Sequence, residues 1–391
     1  MSREDLNWPL MENNITREDR TVLIDFLGRD ERLTQSGQVQ AFEKEWSEWL
    51  GVKYSVFLNS GSSANLITLA ALKEFTGGGE IIVPPLTWVS DIAAVLHCGF
   101  KPVFADIDLH TLGMSEREIA RKISRKTRAV FLTHILGYNA LTAGLLELLR
   151  KKKIPLIEDV CESHGATFQG RKCGTFGFVS NFSFYYAHHM STVEGGMVCT
   201  NDDNYYQAFR MLRAHGLVRE SSSDALRVRY AAEHEDLNPQ FIFAFPAYNM
   251  RGTEIQAVIG RNQLKRLDRD ILIRNANLKR FFAQLDSKKY RTDFDLEGCS
   301  NYAFTLVLKN ADDRFRDRVM QKLDEAGVEY RRGTSGGGNQ LRQPYLKRLF
   351  GQAYKKFPMV DHIHFYGFYI GNYPTLVPDK IDKLCRMLNG I

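Results

Sequence analysis

The chain has no lysine between Lys172 and Lys265, so covalent amine chemistry in that stretch is closed to it. It has no apolar run near the roughly 18 residues that a membrane span needs. Its start, Met1-Ser2-Arg3-Glu4-Asp5, is charged where a secretory leader would turn apolar, so a cytoplasmic protein is expected. Cysteines are few and scattered. Cys98, Cys161, Cys173, Cys199, Cys299 and Cys385 include no CxxC pair, which argues against a disulfide framework or a zinc ribbon and leaves free buried thiols as the expectation. Strong charge of one sign is also missing: the net charge is +6 over 391 residues. The densest basic runs, Arg121 to Lys126 and Arg150 to Lys153, end helical patterns and lead into apolar strands, so they read as solvated helix termini and not as a nucleic-acid surface. What is present is enough apolar residue, 44%, to fill the cores of about two domains.

The spacing predicts a helix from Thr16 to Leu27, with Thr16 and Asp19 placed as a capping box, and a second from Gln38 to Leu50 that buries Val39, Phe42, Trp46 and Trp49. Alternation of strand and helix follows. Strands are expected at Tyr54–Leu58, Glu80–Val83, Pro102–Ile107, Ala129–Thr133 and Pro155–Val160, with helices at Ser62–Phe75, Val89–Cys98 and Leu141–Lys152. This is the pattern of a mostly parallel sheet covered on both faces, whose ligands gather at the C-terminal ends of the strands. Asn181–Tyr185 and Gly196–Thr200 read as two more strands and Ala231–Ala247 as a long loop. From residue 265 the texture changes, with a strand at Asn301–Lys309 and a helix at Asp313–Gly327. Residues 1–264 are therefore expected to form an N-terminal segment and a large cofactor-binding domain, and 265–391 a small α/β domain.

Four features sit at the expected strand ends. Ser60-Gly61-Ser62-Ser63-Ala64-Asn65 is a strand-to-helix turn of small hydroxyl residues, suited to a phosphate dianion and equally to ordinary capping. Asp159 ends an apolar strand, where a carboxylate needs a cationic partner such as a protonated pyridine nitrogen, unless it caps the next helix. Trp88 offers a flat face to a ring or else packs in the core. The fourth is the pair His188-His189. Together they meet the demands of one flat, phosphorylated pyridine cofactor, in order along one sheet.

With Thr87-Trp88, Ile157-Glu158-Asp159, His164-Gly165-Ala166, Phe182-Ser183-Phe184, Glu194-Gly195-Gly196, Arg213-Ala214-His215-Gly216 and Tyr248-Asn249-Met250-Arg251, the chain resembles, over nearly its full length, the DegT/DnrJ/EryC1 sugar aminotransferases. These are pyridoxal phosphate (PLP) enzymes of fold type I, with the aspartate aminotransferase fold. In that family the residue six positions before the Glu of Glu-Gly-Gly is the Schiff-base lysine, and here it is His188. The resemblance is to the sugar 3-dehydratase branch that carries histidine there. It implies PLP and its amine form, PMP, held noncovalently. No metal is expected, nor the iron-sulfur cluster or reductase of the other dehydratase subgroup, because no cysteine lies between Cys199 and Cys299.

The resemblance further implies phosphate contacts from Gly61, Ser62, Ser63 and Ser183, with Asn249 reaching in across a homodimer with shared sites. Trp88 would stack on the ring, Asp159 would pair with its nitrogen, and Glu162, where aminotransferases usually have Gln, would approach its hydroxyl. His215 would lie near the sugar. Arg219, Arg331 and Arg332 are candidates for a diphosphate or for glutamate carboxylates, or else ordinary surface residues. The implied reaction removes the C3 hydroxyl of a nucleotide-linked 4-keto-6-deoxyhexose, GDP-4-keto-6-deoxy-D-mannose first among them, with L-glutamate restoring PMP. His188, with Asp159 and His215, would carry the chemistry, its imidazole titrating near neutrality so that one group both removes and delivers a proton. His189 is expected to point away from its neighbour into packing. An aminotransferase using another lysine and a silent sugar-binding protein remain as alternatives. The loop Gly333–Asn339 reads either as part of the site or as a mobile turn.

Overall fold

Thr16 caps the first helix: its hydroxyl accepts from the Asp19 N–H while the Asp19 carboxylate accepts from the Thr16 N–H, the reciprocal box its spacing predicted. The computed structural model describes residues 6–391, and the charged start, residues 1–5, lies outside them. Helix α1 spans Arg17–Leu27 and α2 Gly37–Leu50. Then come β1 (Tyr54–Leu58), α3 (Gly61–Thr76), β2 (Glu80–Val83), α4 (Val89–His97), β3 (Lys101–Phe104), α5 (Glu116–Lys122), β4 (Thr127–Thr133), α6 (Ala143–Lys152) and β5 (Leu156–Asp159). A short hairpin, β6 (Thr167–Phe168) and β7 (Arg171–Lys172), precedes β8 (Val179–Ser183) and β9 (Gly196–Thr200).

These strands form one seven-stranded sheet in the order β1-β9-β8-β5-β4-β2-β3, parallel except where β9 runs against both neighbours. The predicted strands match in place, with two shifts. The third ends at Phe104, because Ile107 leaves the sheet to bridge Met114. The strand before the histidines is Val179–Ser183, so Tyr185 to Met190 form a turn.

Helices α7 (Asp203–Arg213) and α8 (Asp224–Glu233) follow. The loop expected at Ala231–Ala247 thus begins in the last turn of α8 and includes a further helical turn at Pro239–Phe241, where Asn238 caps the Gln240 amide. Helix α9 runs unbroken from Glu254 to Gln284, so the domain boundary expected at residues 264 and 265 falls within a single 31-residue helix. After it come β10 (Ala303–Val307), α10 (Asp313–Glu325), β11 (Tyr330–Arg332), α11 (Pro344–Phe350), α12 (Pro358–Tyr366), β12 (Gly367–Gly371) and α13 (Pro378–Asn389). Strands β10-β12-β11 make a small antiparallel sheet. One apolar core joins Leu69, Val83 and Phe131 of the large sheet layer to Phe304, Leu306 and Ile370 of the small one.

Buried ties set the sheet's site-bearing edge. The Arg213 guanidinium donates to Glu43 at 2.6 Å and to the carbonyl of Phe57 at 3.1 Å, and Glu43 also accepts from the Phe57 N–H. Arg213, part of a motif quoted for function, thus clamps α7 and α2 to β1. Breaking such a pair leaves a lone buried charge and costs about 3–5 kcal/mol.

Candidate active site

Leu58 ends β1 and Gly61 begins α3, so the first amides of a 16-residue helix lie at a strand's C-terminal end. Ser60 is the cap: its hydroxyl accepts from the Ser63 N–H at 3.1 Å, and the Ser63 hydroxyl is drawn to Asn59 Oδ1 at 2.6 Å. Ser63 therefore spends both polar groups inside the turn, and the free first-turn positions are Gly61 and the exposed Ser62. Glycine is required at 61. A Cβ there would lie 2.6 Å from Ser183 Cβ and 3.1 Å from Cys161 Sγ, so the turn is pressed against the end of β8. Ser183 joins Gly61 and Ser62 by that approach.

Asp159 ends β5, paired to Thr133 of β4 and Asn181 of β8 and only 3% exposed. It does not cap a helix by default. One oxygen accepts from the Cys161 N–H at 2.8 Å and the other from Asn65 Nδ2 at 3.1 Å. The same amide group donates to Asp91 Oδ1 at 2.7 Å. Asp91, fully buried, also takes the hydroxyls of Thr87 and Thr133. Burial, then the charge of Asp159, push the Asp91 carboxyl well above its ordinary range, toward the neutral form. Neither Asn65 nor Asp91 was singled out from the sequence; the signal available was a carboxylate on the apolar face of α4.

Trp88 is 55% exposed at the start of α4, which removes the core alternative and leaves its face free. Trp46 is buried as expected, whereas Trp49 is only partly so and donates to Asp268. Glu162 accepts from the Leu136 N–H at 3.0 Å and from the Ser335 hydroxyl at 2.8 Å. Ser335 belongs to the glycine-rich loop, which is docked: Asn339 bridges Leu86, Gln340 N–H donates to the Pro85 carbonyl, and a Cβ on Gly336 would lie 2.2 Å from the Thr87 carbonyl. The loop closes over the ends of β2 and β5.

Burial raises the Glu162 carboxyl to about 7, against a partial lowering by the Leu136 amide and Ser335. A carboxyl that prefers its neutral form when folded stabilises the fold fully below its unfolded value of about 4.5 and loses that contribution as pH rises toward 7. Thermal melts of cofactor-free protein and Glu162→Gln should therefore show the variant gaining on the wild type between pH 4.5 and 7. A constant difference over that range would place the Glu162 pKa elsewhere.

His188 lies in the turn after β8, its N–H donating to the Tyr185 carbonyl at 3.0 Å. Its ring packs on Tyr302 at 5.5 Å and on His164 at 6.1 Å between centroids. His189 does not point the opposite way: it packs on the same Tyr302 and His164, because the pair sits in a turn and not on a strand. Its Nε2 meets the Ser300 carbonyl at 3.0 Å, the packing role expected of it. The imidazole of His188 does not titrate near neutrality. Burial, then the charge of Arg274, hold it down to about 3.

The remaining candidates lie apart from this cluster. His215, Arg219, Asn249, Arg331 and Arg332 are exposed. His215 N–H donates to the Tyr248 carbonyl, Asn249 Oδ1 accepts from Arg251, and Arg219 is engaged by the Gln240 carbonyl and the Phe241 ring. Among the described residues no hydrogen bond joins these to Asp159 or His188 within the chain. Arg331 sits opposite Tyr369 in the small sheet, and its charge and that of Glu162 act on that phenol with opposite sign. One buried grouping, His134, Glu158 and Cys173, has metal-like proximity, but Glu158 accepts from the N–H groups of Gly174, Phe176 and Gly177 as well as meeting His134, so its oxygens are occupied.

A helix N-terminus cradled by Gly61, a lone carboxylate at a strand end and a free indole face fit a phosphorylated pyridine, and the sheet that carries them is that of the fold type I PLP-dependent transferases. Residues 14–389 match the DegT/DnrJ/EryC1/StrS aminotransferase family, and the chain belongs to it. It is 30% identical to GDP-4-keto-6-deoxy-D-mannose 3-dehydratase of Yersinia pseudotuberculosis over 98% of each protein. It is 31% identical to GDP-perosamine synthase of Caulobacter vibrioides over 74% of each. The solved structure of the Escherichia coli GDP-4-keto-6-deoxy-D-mannose 3-dehydratase with bound hydrated PLP superposes with a TM-score of 0.88 at 28% identity, covering 98% of this chain and 99% of that one.

Proposed function

We propose that this protein removes the C3 hydroxyl from a nucleotide-linked 4-keto-6-deoxyhexose, GDP-4-keto-6-deoxy-D-mannose being the best-supported substrate, with L-glutamate restoring the amine cofactor. The observation that carries this reading is His188: a half-buried imidazole where aminotransferases of the family present lysine, in a stretch without any lysine from 173 to 264. The likeness to the two 3-dehydratases supports it. When bound, the pyridoxamine form would supply an amine for the C4 ketone and an electron sink beside the carbon that bears the leaving hydroxyl.

Gly61, Ser62 and Ser183 would hold the phosphate, and Trp88 would cover one face of the ring. The Asp159 carboxylate would pair with the pyridine nitrogen and keep it protonated, while burial pushes the neighbouring Asp91 toward its neutral form. Glu162, poised near neutrality, stands at the ring hydroxyl. Neutral at working pH, His188 takes the proton from the cofactor's C4′ and returns it to the departing C3 hydroxyl; the negative charge of bound phosphate and nucleotide raises its affinity for that proton. The product is a 3-deoxy-4-keto sugar, with ammonia released.

Product mass tests this directly. Supplied with L-glutamate and the GDP sugar, the protein is expected to form a sugar lacking the C3 oxygen, plus 2-oxoglutarate, with no reductase, and borohydride should leave no pyridoxyl group on the chain. A 4-amino sugar that keeps its C3 oxygen, with a pyridoxyl group fixed on a lysine, would move the assignment to the aminotransferase reading that the GDP-perosamine synthase likeness favours.

Assembly follows from the exposed loop. His215 and Asn249 are tied together on a segment whose backbone meets the phosphate turn, the Asn59 N–H donating to the Met250 carbonyl, while among the described residues neither side chain bonds Asp159 or His188; we assign them to the site of a second copy in a cytoplasmic homodimer, Asn249 at the phosphate and His215 near the sugar. Arg219 travels with that segment, and Arg331 and Arg332 meet the anionic groups of sugar nucleotide or glutamate from the small sheet. Mixing inactive His188→Asn with inactive Asn249→Ala should recover activity as hybrid dimers form; no recovery after verified exchange would sink the shared site.

A further inference from the structure

Four side chains stand in file from the small sheet to the turn after β8. Arg331 lies directly opposite Tyr369 in the β11-β12 ladder, so the two share a face. The Tyr369 ring centroid is 6.4 Å from that of Tyr302, and the Tyr302 ring is 5.5 Å from that of His188. Tyr302 is also held beside Glu162 by a single residue: the Leu136 carbonyl accepts from the Tyr302 N–H at 3.0 Å, and the Leu136 N–H donates to Glu162. Among the described residues neither the Tyr302 nor the Tyr369 hydroxyl forms a hydrogen bond, although both side chains are half-buried. Tyr185, packed on His188 as well, is 43% exposed and has water for a partner. Burial, then the charges of Tyr369 and Glu162, push the Tyr302 phenol well above its ordinary range. Burial and the Glu162 charge raise Tyr369 to about 12, against a lowering by Arg331. Both therefore keep their O–H and can donate as well as accept.

Phenols withdrawn from solvent ordinarily find a partner, so two unpaired hydroxyls side by side call for a ligand with polar groups of its own. Their place says which part of the ligand. On the pyridine ring the carbon bearing the hydroxyl is next to the carbon bearing C4′, so a side chain that adjoins both Glu162 and His188 lies beyond C4′, where the substrate is joined; to this extent the inference rests on the proposed function. We propose that Tyr302 and Tyr369 form the hexose subsite, their hydroxyls bonding the oxygens of the sugar ring, with the diphosphate toward Arg331 and the reacting carbons toward His188. The file then has the order of the substrate itself. A guanidinium suits the diphosphate and an imidazole the proton transfer. Between them, the phenols offer ring faces to the sugar's C–H groups and O–H groups to its oxygens.

Tyr302→Phe and Tyr369→Phe remove only the hydroxyls and keep the rings that pack on His188 and on each other. Calorimetry on the PLP-loaded protein without glutamate reads binding apart from turnover, with GDP as one probe and GDP-mannose, which has no ketone to react, as the other. Each variant should bind GDP-mannose about tenfold more weakly than wild type and the double variant about a hundredfold, all at unchanged affinity for GDP. In turnover, kcat/KM for the 4-keto sugar nucleotide should fall by similar factors. Three results would overturn the subsite: a wild type that does not bind GDP-mannose, a double variant that binds it as wild type does, or an equal loss for GDP, which would place the effect on the nucleotide or the fold. If the product proved to be a 4-amino sugar that keeps its C3 oxygen, the dehydratase reading would fall, and the two affinities would still decide the subsite.

Discussion

His188→Asn is expected to lose at least about three orders of magnitude in turnover while still binding cofactor and sugar nucleotide, because an amide fills the same space and has no proton equilibrium to offer. The side chain packs on Tyr302 and His164, and asparagine leaves both contacts partly in place, so a large loss would reflect chemistry and not collapse of the turn. His188→Lys separates the two family chemistries. A lysine at this position brings an amine where the chain has none, and burial beside Arg274 lowers its pKa so that part of it is neutral and nucleophilic. Borohydride should then fix a pyridoxyl group to residue 188, with dehydration lost and transamination of the 4-keto sugar as the gain to look for. The measurements are kcat and KM for the asparagine variant and peptide mass for the lysine variant. An asparagine variant that dehydrates at the wild-type rate would remove His188 from the mechanism.

The sheet was legible because its signal is local: each strand is a short apolar run bounded by turn residues, and each helix repeats its apolar face at helical spacing. Glu80–Val83 and Gly196–Thr200 match residue for residue. Errors came where the signal was tertiary. Nothing in the composition around Lys265 marks that one helix runs unbroken through residues 264 and 265, since a helix that packs into two apolar clusters keeps its periodicity. The histidine pair shows the same limit. A strand would have separated the two rings, but β8 stops at Ser183 and the chain turns, placing both beside Tyr302, more than a hundred residues away.

Motifs named the candidate site groups but not the neighbours that set their charge. Asp159 was visible at a strand end; Asp91 and the bridging role of Asn65, quoted only as the end of the hydroxyl-rich turn, were not, because they depend on three elements meeting. Arg274 behind His188 and Ser335 on Glu162 were hidden for the same reason. Arg213, by contrast, stood inside a quoted motif and turns out to clamp the scaffold.

That charge arrangement yields the second large effect. Asp159→Asn is expected to lower kcat/KM by about a thousandfold and to weaken cofactor binding, whereas Asp91→Asn should stay within about tenfold of wild type. Both positions of the Asp159 carboxylate meet donors, the Cys161 N–H and Asn65 Nδ2, so an amide at 159 must set its own NH₂ against one of them and also gives up the charge that holds the pyridine nitrogen protonated. Asp91 is different. One of its oxygens accepts from Asn65, and the other lies among the Thr87 and Thr133 hydroxyls, which can turn to accept from an NH₂ as they would from the proton of a neutral carboxyl. Asparagine at 91 therefore copies the neutral form that burial and Asp159 favour. Measured side by side, with cofactor occupancy read from absorbance, the two variants should separate by about two orders of magnitude. Equal losses would mean that the negative charge is shared across the pair, and the assignment of ring-nitrogen pairing to Asp159 alone would fail.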